Sequence, residues 1–581
     1  MRALAAIRRQ FAIALPRQDR WASLMLLVVL GVSAAIVVLP VMLLWLGFRE
    51  GHPLDPVSAY SVLHYKEVFG DSFLLEVVAN TLLFSLTTLL VAFVFGLPAA
   101  WLAVRTDLPA KSLLYTLMTV GLLMPGFASA MGWLFLMHPR IGLLNQFIMR
   151  GLGLTEAPFN ITSVIGMGWV QGLSLAPVVF VMNAAVLRAI DPTLEESAHM
   201  AGATFSRVMR GITLPLAWPG ILAAGIYIFT IGFAAFDVPA IIGWSNKIFT
   251  FSTFLVVQLT PTQDLPRYGQ VAALSTVVIV FAGLLSWWYG RLQKQTHRFQ
   301  VVTGKGYRPR ILELGRYRAL AWLFLGFYFA LANLLPLLVI LWAAMLPYFQ
   351  LPSNAALASM SFAQFTNIPW DIMIEAMRNT GLLMILTPTV TIVIAICFSW
   401  VVMRSKVPGR LWFDFIAFLP HAVPNILFGV AVLLFALFMA KGALLGSLWI
   451  LLFVFIIARL SYATRMTNGA FIQIHKDLEE AATMSGVSTG VTVRHVIVPL
   501  LAPTIIYAWL WIALLTFREL TLAVMLTTRD NLTMPVMLWS VWTSNGLGSA
   551  AAITLLLMAM MVPLLVLYWW IVQKRGLIGT T

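Results

Sequence analysis

Cysteine is almost absent from this chain. Cys397 is the only one in 581 residues, so no intrachain disulfide framework can form. Charge is scarce too: Asp, Glu, Lys and Arg make up 10% of the residues, against roughly 25% in soluble domains. Neither His-Glu-x-x-His nor Cys-x-x-Cys occurs, which leaves a catalytic or structural zinc site without its ligands. A phosphate-cradling loop needs Gly, four residues, then Gly-Lys-Ser/Thr. At Gly304-Lys305 the following residue is Gly306, and Phe299 stands where the first glycine belongs. No enzyme, metal site or cofactor is therefore expected of this chain, and it cannot be its own ATP-driven motor.

What is present is apolar. Hydrophobic residues make up 61% and mean hydropathy is +0.91, so the chain reads as an all-α integral membrane protein with spans of about 20 residues. The net charge of +15 is gathered in the short segments between apolar runs. In 291–318, Arg291, Lys294, Arg298, Lys305, Arg308, Arg310, Arg316 and Arg318 stand against a single acid, Glu313. This is the positive-inside pattern, and it excludes a nucleic-acid role. Arg8-Arg9 resembles the start of a twin-arginine export signal, but the apolar stretch after it is short and broken by Pro16, Arg17, Asp19 and Arg20. A cytoplasmic basic tail over 1–20 is the expected reading.

One stretch occurs twice. Residues 193–202 read Thr-Leu-Glu-Glu-Ser-Ala-His-Met-Ala-Gly and lead to Ile212, Leu214 and Pro215; residues 477–486 read Asp-Leu-Glu-Glu-Ala-Ala-Thr-Met-Ser-Gly and lead to Val496, Val498 and Pro499. The matched residues are 284 apart (486 − 202 and 499 − 215). Each copy predicts a short helix, a glycine turn and a second helix entering an apolar span. Thr193 or Asp477 would cap the first helix with Glu196 or Glu480 reaching back, Gly202 or Gly486 would take the left-handed position that ends it, and Thr204 or Ser488 would cap the next. A single copy would pass for an amphipathic surface helix; two in register do not.

Glu-Ala-Ala, three residues, Gly, nine residues, then Ile-x-Leu-Pro resembles the cytoplasmic coupling loop of ABC importer permeases. Glu196, Ala198, Gly202 and Pro215 fit that pattern with Ser197 for its middle alanine, and Glu480, Ala482, Gly486 and Pro499 fit it with Val496 and Val498 for Ile and Leu. The connector Val302-Thr303-Gly304-Lys305-Gly306-Tyr307-Arg308-Pro309, together with Phe236-Asp237-Val238-Pro239 and Arg518-Glu519-Leu520-Thr521, is similar to single-chain permeases of the ferric iron group, whose relatives carry thiamine and aminophosphonates. The resemblance covers about residues 20–575. It implies a type I importer permease fold, docking of the two loops into two copies of an ATP-binding subunit, and delivery of a small cargo by a periplasmic or extracellular binding protein.

In chain order, six spans are expected in each half: 21–48, from 80 to 105, up to 137, 164–189, from 216, and 270–289; then 319–346, from 380, one around Pro424, 448–468, 500–520 and 550–572. The inside turns at Arg105 and Arg404 and the prolines at 125 and 424 share an offset of 299, so the second copy lacks 15 residues (299 − 284), with the deletion near Gly442. Each half begins and ends inside, giving two parallel six-helix repeats with both termini cytoplasmic and about twelve helices. The expected organisation is a tail 1–20, a first repeat 21–290 with its core at about 76–289, a linker 291–318, and a second repeat 319–575 with its core at about 375–572.

Charges within spans are expensive and so are functional candidates. Arg518 and Glu519 lie 19 and 20 positions past Pro499 (518 − 499, 519 − 499), near the outer end of a span, and read either as a self-neutralising interfacial pair or as pathway residues; Asp237 stands at a similar depth. His421, between Pro420 and Pro424, reads as bonded to carbonyls that the prolines free or, alternatively, as a metal ligand. The spans offer few carboxylates and no evident Tyr or His cluster, so the pathway shows no hard-metal cage. Ferric iron is nevertheless the best single cargo by resemblance, with thiamine, 2-aminoethylphosphonate and polyamine as alternatives. A secondary transporter of the major facilitator type also has twelve spans in parallel halves, but it explains neither matched loop, and the 105–111 turn lacks the glycine such a protein would show there.

Overall fold

The computed structural model describes residues 20–50, 59–121, 124–190, 192–259, 266–297 and 312–574. The tail before Arg20, Asp191, the connector stretch 302–309 and Arg575 lie outside the described residues. Among the described residues the chain is helical, its only β features being isolated bridges at Arg49 with Tyr60 and at Thr106 with Leu312.

The first half contains α1 (Arg20–Phe48), α2 (Ser72–Arg105), α3 (Lys111–Gly121), α4 (Gly126–Met137), α5 (Val164–Arg188), α6 (Pro192–Met200), α7 (Leu214–Ala234) and α8 (Tyr268–His297). The second contains α9 (Arg318–Phe329), α10 (Leu335–Ala344), α11 (Trp370–Met403), α12 (Arg410–Ala422), α13 (Asn425–Phe438), α14 (Leu448–Gln473), α15 (Asp477–Met484), α16 (Val498–Phe517) and α17 (Leu547–Lys574). Among the described residues ten helical segments are long and apolar enough to cross a bilayer, and counting each of the bent pairs α3/α4 and α12/α13 as one span makes twelve.

Several of the expected spans differ from the structure. The spans opening near Asn80-Thr81 and Asn379-Thr380 begin earlier, at Ser72 and Trp370, because these pairs are interior tethers. Thr81 Oγ1 accepts from Phe251 N at 2.9 Å and Thr380 Oγ1 from Met534 N at 2.9 Å, while Asn379 donates to Leu532 O at 3.0 Å. The third and ninth spans are not single rods. They turn through 91° and 99° at Pro125 and Pro424, where a proline withholds the N–H a helix needs. Between the fifth and sixth spans the described chain packs inward: Pro239–Gly243 is buried throughout, and so is most of the helix Phe251–Leu259, as its apolar composition requires.

Proline also shapes the entry to the fifth and eleventh spans. A π-helical turn at Met209–Thr213 precedes Pro215, and its match at Val493–Ile497 precedes Pro499. A proline ring clashes with the carbonyl four residues back, and the ladder absorbs this by one wider turn. Ala330–Leu334 before Pro336 repeats the device.

The two halves interlock. α2 packs along α5, where a Cβ added to Gly168 would lie 2.6 Å from Thr87 and one added to Gly172 2.6 Å from Val91. Such small residues let membrane helices approach closely. α11 pairs with α14, α1 crosses to α11, α12 and α13, and α10 packs on α4. The 15-residue difference falls where expected: the first half carries a helix at Leu143–Leu152, and the second turns at Gly442, whose φ is +77°.

Candidate functional site

α6 ends as its sequence requires. Gly202 has φ +81°, its N–H donates to His199 O at 2.9 Å, and Ala203 N donates to Ala198 O at 2.9 Å, a pattern that satisfies the last helical carbonyls. α15 ends alike, with Gly486 at φ +76° and Val487 N donating to Ala482 O at 3.1 Å. α6 begins at Pro192 and α15 at Asp477, which puts Thr193 and Asp477 within the first turn. Ser488 takes the N-cap position of the following short helix without a side-chain bond to it. Glu196, Glu480, Pro215 and Pro499 are exposed and Ala198 and Ala482 half-buried. Met200 and Met484, at matched positions, are 90% and 88% exposed. Each coupling segment thus presents a carboxylate and a bare methionine outward.

The preceding glutamate of each copy turns inward, which the sequence reading missed. Glu195 pairs with Arg105 at 3.2 Å and accepts from Thr213 Oγ1 at 2.7 Å. Glu479 pairs with Arg404. A signal existed: both arginines close a span and share the 299 offset, but they read as ordinary inside charges.

About 20 residues of helix separate each coupling segment from the far end of the fifth or eleventh span. α7 and α16 have 21 and 20 residues, so at 1.5 Å per residue each is a rod of about 30 Å. α7 leads to Asp237, and α16 to Arg518 and Glu519. All three line one cavity of about 650 Å³ between the halves. Thr521 donates to Asp237 Oδ1 at 3.3 Å, and these positions are equivalent under the 284 offset (521 − 237), so the cavity straddles the axis relating the halves.

Arg518 and Glu519 do not neutralise only each other. Glu519 pairs with Arg459 of α14 and accepts from Leu522 N at 3.1 Å, so Arg459 belongs with the predicted pathway residues. Nor, among the described residues, do the contacts of His421 run to freed carbonyls. Its ring lies 5.4 Å from that of Tyr227, 5.2 Å from Tyr462 and 5.3 Å from Phe418. With Tyr507 lining the same space, a Tyr and His cluster does exist, contrary to expectation, built from residues too far apart in sequence to be seen together. Among the described residues no group of three His, Cys, Asp or Glu could hold a metal ion.

The profile of the binding-protein-dependent transport system inner membrane component family matches residues 92–298 and again 389–576. A ferric transport system permease protein of Actinobacillus pleuropneumoniae is 22% identical over 537 residues, 90% of this chain and 74% of that one. A putative ferric transport system permease of Haemophilus influenzae is 22% identical over 494 residues, 83% of this chain and 74% of that one. A putative 2-aminoethylphosphonate transport system permease of Salmonella paratyphi A is 26% identical over 184 residues, 31% of this chain and 69% of that one.

Proposed function

The chain belongs to the family of binding-protein-dependent transport system inner membrane components, present as a fused duplicate, and from that premise we propose that it forms the entire translocation pathway of an ATP-driven importer. One observation carries this reading: two matched coupling segments are each joined by a rod of about 30 Å to the charged wall of one shared cavity. Two ATP-hydrolysing subunits dock on α6 and α15, through Glu196, Ala198, Gly202 and Pro215 and through Glu480, Ala482, Gly486 and Pro499. A binding protein delivers cargo to the opposite face. Both termini and the 291–318 linker lie on the motor side. Asp237, Arg459, Arg518 and Glu519 line the route.

Ferric iron is the proposed cargo. Support comes from the two ferric relatives, which align over most of this chain, whereas the aminophosphonate relative aligns over 31% of it. Oxygen and nitrogen donors from Tyr227, Tyr462, His421, Asp237 and Glu519 around the cavity suit a hard cation held loosely. The test is uptake of radiolabelled ferric iron in a strain lacking the chain, with and without its restoration. Unchanged iron uptake, accompanied by loss of 2-aminoethylphosphonate, thiamine or polyamine uptake, moves the assignment to that cargo.

A further inference from the structure

Behind each coupling segment stands an arginine–glutamate pair, buried in the first half and half-buried in the second. Arg105 is the last residue of α2, and its guanidinium joins three elements: its own helix, Glu195 of α6 at 3.2 Å, and the carbonyl of Leu187 at the end of α5 at 3.0 Å. Arg404 repeats this, with Glu479 of α15 and the carbonyls of Phe471 at 3.1 Å and Ile474 at 2.7 Å, at the end of α14. The carbonyls correspond as well, since Leu187 and Phe471 are 284 apart (471 − 187). A guanidinium is a fixed fork of five donors, and the last carbonyls of a helix lack intrahelical partners, so one side chain can serve both carboxylate and carbonyls.

We infer that these ion pairs are clamps, positioning residues that make each coupling helix move as one body with the α2/α5 or α11/α14 pair. In the second half this closes a frame. One side is covalent, from the coupling segment along α16 to Glu519. The other runs from Glu479 through Arg404 to the end of α14, then 12 residues back from Phe471 to Arg459 (471 − 459), about 18 Å along a helix. Arg459 and Glu519 are ion-paired, so both sides meet at the cavity wall. The first half has the clamp but not the far tie, because Leu175 and Ala235 stand at the matched positions (459 − 284, 519 − 284). A push on α15 thus reaches the cavity through two struts, and a push on α6 through struts joined only at their motor end.

This inference rests on the proposed motor coupling, and the experiment separates the two. In a Cys397→Ala background, Thr230→Cys places one thiol on the cavity wall, and its alkylation by a maleimide is timed in the full complex with motor subunits, without nucleotide and with ATP trapped by vanadate. The unmutated clamp should show a nucleotide-dependent rate change. Glu479→Gln, which leaves Arg404 on its carbonyls, should reduce that change at least tenfold while motor subunits still co-purify and hydrolyse ATP, and Arg404→Lys should restore part of what Arg404→Met removes. If Arg404→Met fails to assemble, Glu479→Gln decides alone. A full nucleotide response in Glu479→Gln overturns the clamp. No response in the unmutated chain overturns the motor reading instead.

Discussion

Replacing Gly202 and Gly486 tests the coupling turns with little else disturbed. Both are left-handed, at φ +81° and +76°, and a Cβ built on either meets nothing within 4 Å. The penalty is then conformational alone, about 1–2 kcal/mol per site for an L-residue in that region, and larger for a β-branched one. The turns lie in different halves and share no partner, so the costs add, and the Gly202→Ala, Gly486→Ala pair should lose about 2–4 kcal/mol of turn stability. The Val pair should lose more. Gly381, in the interior of α11, also has open space but ordinary helical geometry, so Gly381→Ala should be neutral or stabilising by about 0.5–1 kcal/mol. The assay is co-purification of the ATP-hydrolysing subunit with the permease, followed by uptake in vesicles. Graded loss from Ala to Val, with Gly381→Ala intact, is the expected result. Full assembly and uptake by the double Val variant would refute the docking role of these turns.

Glu519→Gln leaves Arg459 buried without its carboxylate and should cost about 3–5 kcal/mol, read as a lowered unfolding midpoint; an apolar replacement of both partners, Arg459→Met with Glu519→Leu, should cost markedly less. His421→Ala and Tyr462→Phe should lower cargo uptake severalfold while assembly with the motor is unchanged, and undiminished uptake in both would remove the aromatic cluster from the pathway. Single cysteines added in the 291–318 linker or near either terminus of a Cys397→Ala chain should resist labelling from outside intact cells, and labelling at any of the three would sink the twelve-span arrangement. Arg318, bonded to Asp107, holds that carboxyl below the ordinary aspartate value of 3.8. The tie is therefore present above that pH and lost as pH falls beneath it, so exchange of the Leu314 amide, which donates to Asp107 at 2.8 Å, should quicken relative to its intrinsic rate only there, and should be fast at every pH in Asp107→Ala, which removes the acceptor.

The features legible in the sequence are those whose physics is local. Gly202 and Gly486 announced left-handed turns because only glycine sits there cheaply, and the apolar runs announced spans because lipid satisfies no backbone group. Pro125 and Pro424 marked where two helices break, but the turn of about a right angle depends on what packs against them. The Asn-Thr pairs at 80–81 and 379–380 look like caps in one dimension. They are tethers in three, because Phe251 and Met534 return to them from about 150–170 residues away. The Tyr227, His421 and Tyr462 cluster and the Arg459–Glu519 pair were hidden for the same reason: each joins elements separated by tens to hundreds of residues.

Fusion of the halves explains the composition of the cavity wall. In a two-fold dimer of identical chains every residue near the axis appears twice, so an arginine at 459 or 518 would face its own copy, and like charges in a weakly screened space repel strongly. In this chain the equivalent positions have diverged. Leu175 stands opposite Arg459, Val178 opposite Tyr462, and Ala234 and Ala235 opposite Arg518 and Glu519, while Asp237 meets Thr521 across the axis. One copy of each charge lets Arg459 pair with Glu519, and it sets a single acid beside a neutral hydroxyl at the axis. Installing the second-half residues in the first, as Leu175→Arg with Ala235→Glu, restores symmetry in sequence and doubles the buried charge. If a single-sided polar wall is what the cavity requires, that variant should assemble less well and transport less than one carrying Leu175→Met with Ala235→Leu, which adds comparable bulk without charge.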